Sequence, residues 1–335
     1  MINIIPPVDK ALLEMELTED KFIRKTNKGD NLLYIFTAND APNLMREVGR
    51  LREETFRHAG GGSGYESDID DFDTCKKPYK QLIVWDPESR QILGGYRFKI
   101  CDEETTDYQG NVLLSTAELF HFSPDFCKDY LPHMIELGRS FVQPAYQSSN
   151  RQRKGLYALD NLWDGLGAII VQNPEKKYFF GKVTMYTHYN VNARNQLLYF
   201  LQKHFTDHDG LVTPIDPMLT HMNKNEMLEL FPGNDYMDDY KVLSKSVRKL
   251  GEIIPPLINS YMSLSPTMKV FGTTVNNHFG GVEETAIIIT INDIYPEKVE
   301  RHIITFDPLF WIRKKLKNTH IHIFPRRKRR SKDKE

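Results

Sequence analysis

The sequence lacks most of the features that would settle a functional class at once. Three cysteines, Cys75, Cys101 and Cys127, stand in 335 residues with no Cys-x-x-Cys spacing. That argues against a disulfide framework and a cysteine zinc site and points to a reducing compartment. No window approaches ~18 consecutive apolar residues, so no transmembrane helix is expected. The opening "MINIIPPVDKALLEMEL" has no basic segment followed by an apolar core and does not read as a signal peptide. Lys and Arg number 44 against 45 Asp and Glu, a net charge of -1, so the chain as a whole is not a polyanion binder. No Gly-Lys-Ser/Thr follows Gly60, Gly61 and Gly62, which reads as a hinge rather than a phosphate loop. No internal repeat occurs. A cytoplasmic protein is expected from these absences.

What is present is the patterning of a globular fold. "NLLYIFTA" (Asn31–Ala38) reads as a strand and Asp40–Gly60 as one or two helices, with Asp40 as N-cap and Leu44, Val48, Leu51 and Phe56 on a rough apolar face. "YKQLIVWD" and "QILGGYRFKI", joined by "PESR", predict a hairpin. "HMIELGRSFVQP" is the next strand. A helix follows, in which Leu156, Leu159, Leu162, Trp163, Leu166, Ile169 and Ile170 share one face. Then come a buried strand "YFFGKVTMY", a helix "NVNARNQLLYFLQKHF", and a polar, partly helical insertion at about 206–250. "MKVFGTTVN" and "TAIIITIND" supply the closing strands. This order predicts an α/β (α+β) fold, a mixed sheet covered by helices. It forms one domain over 1–310, followed by a basic amphipathic or disordered tail over 311–335.

Several charged residues interrupt these apolar elements: Arg52 beside Phe56 on the first helix, Asp70 and Asp73 in an acidic loop, Arg97 in the third strand, then Glu136 and Arg139. Each has an ordinary reading singly, as an exposed helix charge or the polar side of an edge strand. The loop residues Asp68, Asp70, Asp71 and Asp73 lack the glycine and the glutamate of a calcium loop and read as a solvated loop. The alternate histidines His320 and His322 have no further ligand nearby, so no metal is expected.

Taken in order, "RxxxF", "DDFD", "GGYRF" and "ELGRSFV" resemble the acyl-homoserine-lactone synthases. The resemblance is closer to the bacterial ornithine-lipid and glycine-lipid N-acyltransferases of the GNAT superfamily. "FDTCKKPYKQLIVWD", "IELGRSFVQPAYQ", "IPPLINSYMSL" and "NNHFGGVEETAIIITIND" extend the likeness from about Asn31 to Asp293. It implies a GNAT-like fold and transfer of a (3-hydroxy)fatty acyl group from acyl carrier protein to the α-amine of a small amino acid. Glycine is favoured over ornithine, the product is a lyso-aminolipid, and no permanently bound cofactor is implied. By motif, Glu136 matches the proposed base and Arg97 and Arg139 the conserved arginines of the site. Arg52, Phe56, Asp70 and Asp73 match residues that shape the site and order its loop, and Phe141 and Val142 fall on the donor side.

The residue types suit that chemistry. The nucleophile must be a neutral amine, and a carboxylate can take the ammonium proton directly or through a water. Guanidinium groups such as those of Arg97 or Arg139 suit the carboxylate of the acceptor in a bidentate fork, which makes both candidates for substrate binding. A regular strand would put Glu136 and Arg139 on opposite faces, so either a bulge at Gly138 unites them or they serve different sides. GNAT enzymes that use CoA carry Arg/Gln-x-x-Gly-x-Gly/Ala before the helix; here "QRKGLYA" keeps Gln152 and Gly155 but places Tyr157 where a small residue is expected. That favours a carrier-protein donor, and Arg151, Arg153, Lys154 and Gly155 read either as contacts to its phosphopantetheine phosphate or acidic surface or as an ordinary solvated basic helix start. The tail "WIRKKLKNTHIHIFPRRKRRSKDKE" interleaves basic and apolar residues and reads as a peripheral anchor on anionic lipid at the inner membrane face. No nucleic-acid module surrounds it, so no nucleic acid is expected. Two other readings stand beside this one. The first is an acyl-homoserine-lactone-type signal synthase, which the segment after Pro255 argues against. The second is a non-catalytic membrane- or nucleic-acid-binding protein on the same scaffold.

Overall fold

The computed structural model describes residues 2–147, 155–220, 222–233 and 235–318. Arg151, Arg153 and Lys154, and the basic stretch from residue 319 onward with His320 and His322, lie outside the described residues.

Among the described residues, ten strands form two sheets. The main sheet holds β1 (Phe22–Lys25), β2 (Leu32–Phe36), β3 (Lys80–Asp86), β4 (Gln91–Ile100), β6 (Met134–Val142), β7 (Tyr178–Met185), β9 (Lys269–Asn276) and β10 (Val282–Thr290). Its order is β1-β2-β3-β4-β6-β7-β10-β9, and β5 (Phe120–Phe122) pairs with β8 (Val212–Pro214) in a small separate sheet. Every neighbouring pair in the main sheet is antiparallel except β6 and β7, which run parallel. The sheet is therefore mixed, as the alternation of elements predicts.

The helices are α1 (Lys10–Glu16), α2 (Pro42–His58), α3 (Asp71–Thr74), α4 (Pro124–Asp129), α5 (Gly155–Gln172), α6 (Val191–Phe205), α7 (Lys224–Leu230), α8 (Tyr236–Lys249), α9 (Pro256–Met262), α10 (Pro296–Val299) and α11 (Phe310–Asn318). On one face of the sheet, Leu44, Val48 and Leu51 of α2 pack against Ile83, Trp85, Ile92 and Phe141. On the other, Leu162, Leu166, Ile169 and Ile170 of α5 join Leu82, Phe98, Ile135 and Leu137. The apolar spacing read along both helices is the spacing that becomes buried. The 206–250 stretch contributes β8, α7 and α8, with Leu243 and Val247 in the second core. The tail boundary at 311 falls within α11, whose Phe310 is buried.

The start of α2 corrects one expectation. Its N-cap is Ala41, which makes no side-chain cap, with Pro42 following. Asp40 accepts instead from the backbone N–H of Thr37, and the free amides of Asn43 and Leu44 donate to the carboxylate of Glu16 on α1. A distant carboxylate thus satisfies the orphan donors that a local cap would otherwise take.

Candidate active site

The acidic loop after α2 is fixed from both ends. Asp68 N–H donates to the carbonyl of Gly49 at 3.0 Å, a contact that needs glycine on the helix, because a Cβ there would meet Ser67 Oγ at 2.4 Å. Asp70 caps α3 in a reciprocal box with Asp73. Three arginines from three elements then converge on this loop. Arg52 of α2 donates from Nε to Asp68 at 2.8 Å and from its terminal nitrogens to Asp73 at 3.3 and 3.2 Å. Arg97 of β4 donates to both oxygens of Asp70 at 2.7 Å and to Asp73 at 3.2 Å. Arg139 of β6 donates to Asp68 at 2.9 Å and lies 3.6 Å from Asp70.

The outcome is a buried network of three guanidinium groups facing three carboxylates. Burial by itself would raise the Asp68 carboxyl, but Arg139 and Arg52 outweigh it and hold it well below the usual carboxylate range. Asp73 is likewise lowered, by Arg52 and Arg97 against the effect of burial. Arg52 and Arg97, despite burial that disfavours their charge, are held charged by the same aspartates. The acidic loop is thus a neutralised hub rather than a solvated segment, which corrects the reading of its aspartates as solvent-facing.

Strand β6, which carries Glu136 and Arg139, is bulged. Gly95 pairs with Phe141 and Arg97 with Gly138, so two steps on β4 face three on β6. The extra residue falls at Arg139–Ser140, one position beyond Gly138, and Arg139 takes a left-handed φ of 48°. Such a conformation costs a non-glycine residue on the order of 1–3 kcal/mol, which its ion pairs offset. The bulge turns Arg139 toward the loop and over the ring of Phe279, 4.4 Å from guanidinium carbon to centroid, so Arg97 and Arg139 share Asp70.

Glu136 is not bonded to either. It is 1% exposed and accepts from Tyr79 Oη, from Ser115 Oγ at 3.3 Å and from the N–H of Thr116 at 3.0 Å. Burial first, and the Glu136 charge second, push the Tyr79 phenol far above its ordinary value, so Tyr79 stays a proton donor to the carboxylate.

Beside these groups the sheet opens. β6 and β7 pair from Met134↔Tyr178 to Leu137↔Gly181 and no further. A cavity of about 520 Å³ occupies the space where they part. Toward α2 it is lined by Arg97, Ser115, Thr116, Arg139, Lys182 and Glu284, with Phe56 and Phe141 beside them. On the α5 side it is lined by Leu137, Val142, Leu159, Phe179, Ile287 and Ile289. The charged lining residues stand on the α2 face of the sheet, and the α5 face offers aliphatic and aromatic side chains, Tyr96, Tyr146 and Tyr261 among them.

The family description "Acetyltransferase (GNAT) domain" matches residues 51–154. A Bacteroides thetaiotaomicron protein named glycine N(alpha)-acyltransferase is 55% identical over 306 residues, 91% of this chain and 91% of the relative. A Phocaeicola vulgatus protein of the same name is 53% identical over 306 residues, 91% of this chain and 94% of that one. The chain belongs to the glycine N(alpha)-acyltransferase family. It is an N-acyltransferase on a GNAT fold. No solved structure gives a significant match.

Of the residues expected in this acyltransferase's site, Phe56, Arg97, Arg139, Phe141 and Val142 line the cavity. Glu136 stands one hydrogen bond behind it, through Ser115 and Thr116. Arg52, Asp70 and Asp73 lie in the network that holds Arg97 and Arg139. Gly155 is the first residue of α5. Sequence reasoning did not single out the contacts of Asp68, then Tyr79, Ser115, Thr116, Lys182 and Glu284, which bond to the expected residues or line the cavity. The last two carried the signal that had exposed Glu136, a charge inside an apolar strand; Ser115 carried none. Among the described residues no cluster of three or more His, Cys, Asp or Glu could hold a metal ion, and no helix is long and apolar enough to cross a membrane.

Proposed function

We propose that this enzyme transfers a fatty acyl group, 3-hydroxyacyl in particular, from acyl carrier protein to the α-amine of glycine, giving a lyso-aminolipid. The observation that carries the reading is the cavity that crosses the sheet between β6 and β7, charged toward α2 and uncharged, mostly apolar, toward α5. The apolar half takes the acyl chain and the polar half the amino acid, so thioester and amine meet where the strands part. The names of the relatives support glycine as acceptor.

Glu136 serves as base, with Ser115 linking it to the cavity. The ammonium gives a proton through the Ser115 hydroxyl to Glu136, and the neutral nitrogen attacks the thioester carbon. The C–N bond forms, the C–S bond breaks, and the second nitrogen proton ends on the departing thiol. A backbone N–H freed by the bulge at Arg139–Ser140 meets the developing oxyanion. Arg52, Asp70, Asp73 and Phe56 order the loop that keeps Arg97 and Arg139 at the wall, and Phe141 and Val142 border the donor.

Tyr157 at the position where pyrophosphate-binding loops carry a small residue supports a carrier-protein donor over CoA. The basic stretch near 311–335 gives a peripheral hold on anionic lipid at the cytoplasmic face, at about 1 kcal/mol per basic residue near the surface. The test is incubation with 3-hydroxyacyl-carrier protein or 3-hydroxyacyl-CoA and a panel of amino acids, with products read by mass. Acylglycine formed from the carrier protein is expected. Failure to acylate any amine would overturn the reading, and equal use of CoA would overturn the donor.

A further inference from the structure

The arginines of this site cannot serve as free anion binders without dismantling their own network. Arg52, Arg97 and Arg139 are matched by Asp68, Asp70 and Asp73, three against three. The cavity's remaining charged lining residues, among those described, are Lys182 and Glu284. In the β7–β10 ladder Lys182 lies opposite Ala286, and Glu284 opposite Thr184. The two are diagonal neighbours on one face of the sheet, where long side chains reach one another. Lys182 Nζ contacts Glu284 Oε2; the lysine side chain is 11% exposed and the glutamate side chain 2%. Lys182 follows Gly181, the last residue of β7 paired with β6. The pair therefore stands at the mouth of the opening, in the polar half.

We propose that Lys182 and Glu284 form the clamp for the acceptor amino acid, Lys182 taking its carboxylate and Glu284 its ammonium. This rests on the acyltransferase reading above and names residues that decide its acceptor. A buried ion pair accepts a zwitterion without a change in net charge, since each ligand charge meets its opposite and the four alternate. A ligand with one surplus charge has no such match. Ornithine brings a second ammonium, and no further carboxylate lines the cavity among the described residues, so the clamp selects against it. Glu284 keeps its hold on the nitrogen as a hydrogen-bond acceptor after Glu136 has taken the first proton.

The experiment compares glycine with glycinamide, which has the same amine and nearly the same size but no carboxylate. Initial rates are measured with a saturating acyl donor on the full chain. The wild type is expected to prefer glycine by kcat/KM on the order of 100-fold, the scale of a lost buried charge contact. Lys182→Met should raise the KM for glycine and bring the glycine-to-glycinamide ratio near unity, with the KM for the donor unmoved. Lys182→Arg should restore part of the ratio. Where a single variant leaves a buried charge alone and fails to fold, Lys182→Met with Glu284→Gln removes both charges and carries the same comparison. A glycine-active wild type whose variants keep the ratio, or a wild type indifferent to the carboxylate, overturns the clamp alone. A wild type that acylates no amino acid overturns the acyltransferase reading first.

Discussion

Arg52 on α2 and Asp68 in the following loop meet at 2.8 Å with almost no exposure of either side chain, and Asp68 passes the contact on to Arg139 on the bulged strand. One carboxylate thus ties the helix on one face of the sheet to the wall of the cavity.

Removing that carboxylate leaves two guanidinium groups short of a partner. Asp68→Asn is expected to destabilise the fold by roughly 3–5 kcal/mol, the range for breaking one side of a buried ion pair. Thermal or denaturant unfolding measures it directly. A loss below about 1 kcal/mol would mean that the remaining aspartates suffice.

The same network sets an acid limit. Asp68 and Asp73 have carboxyls lowered in the folded state by their arginines. The stability they add is whole above the unfolded aspartate value of about 3.9 and is lost as the pH falls below it, toward their folded values. Unfolding midpoints measured from about pH 6 down to about pH 2 should fall in that lower window. Asp68→Asn should flatten the fall; an unchanged slope would remove the network as its source.

Glu136→Gln keeps an acceptor for Tyr79 and for the Thr116 amide but cannot take a proton. The expected loss is about 10²–10⁴ in kcat, the usual scale of general base catalysis, with little change in the KM for glycine. Unfolding curves that match the wild type would show that the fold is kept. Unaltered kcat at saturating substrate would strip Glu136 of its role.

The apolar half of the cavity should measure the acyl chain. Leu159, partly buried at its wall, replaced by Trp narrows that space. Shorter acyl donors should then be favoured, with kcat/KM for long chains down by about tenfold and a fold cost of about 1–3 kcal/mol. A donor series of increasing length reads the preference; an unshifted profile places the chain elsewhere.

Much of this arrangement could be read before any coordinates. The order of β2, β3, β4, β6 and β7 with α2, α5 and α6 followed from apolar spacing, because α2 and α5 bury the faces that their sequences mark; α1, the edge strand β1 and the β5–β8 pair did not. The strand around Glu136 was recognisable from charges where apolar residues were expected. What escaped was non-local. Nothing in "DAPNLM" tells that Glu16 will cap the helix, since the donor and acceptor are distant in sequence. Alternation put Glu136 and Arg139 on opposite faces, and the bulge that alters this depends on the register with β4. The aspartates looked solvated because local sequence does not show the three arginines that fold onto them. Lys182 and Glu284 were each visible as odd charges, but only the β7–β10 ladder makes them a pair.

The seam between β6 and β7 sets a distance. Four residue pairs join the strands before they part, and Leu137 and Gly181 form the last of them. Arg97, Glu136 and Arg139 belong to the β4–β6 side of the seam, Lys182 and Glu284 to the β7–β10 side. The spacing between these two groups of charges is therefore fixed by where the backbone pairing stops, not by any contact between the charges themselves.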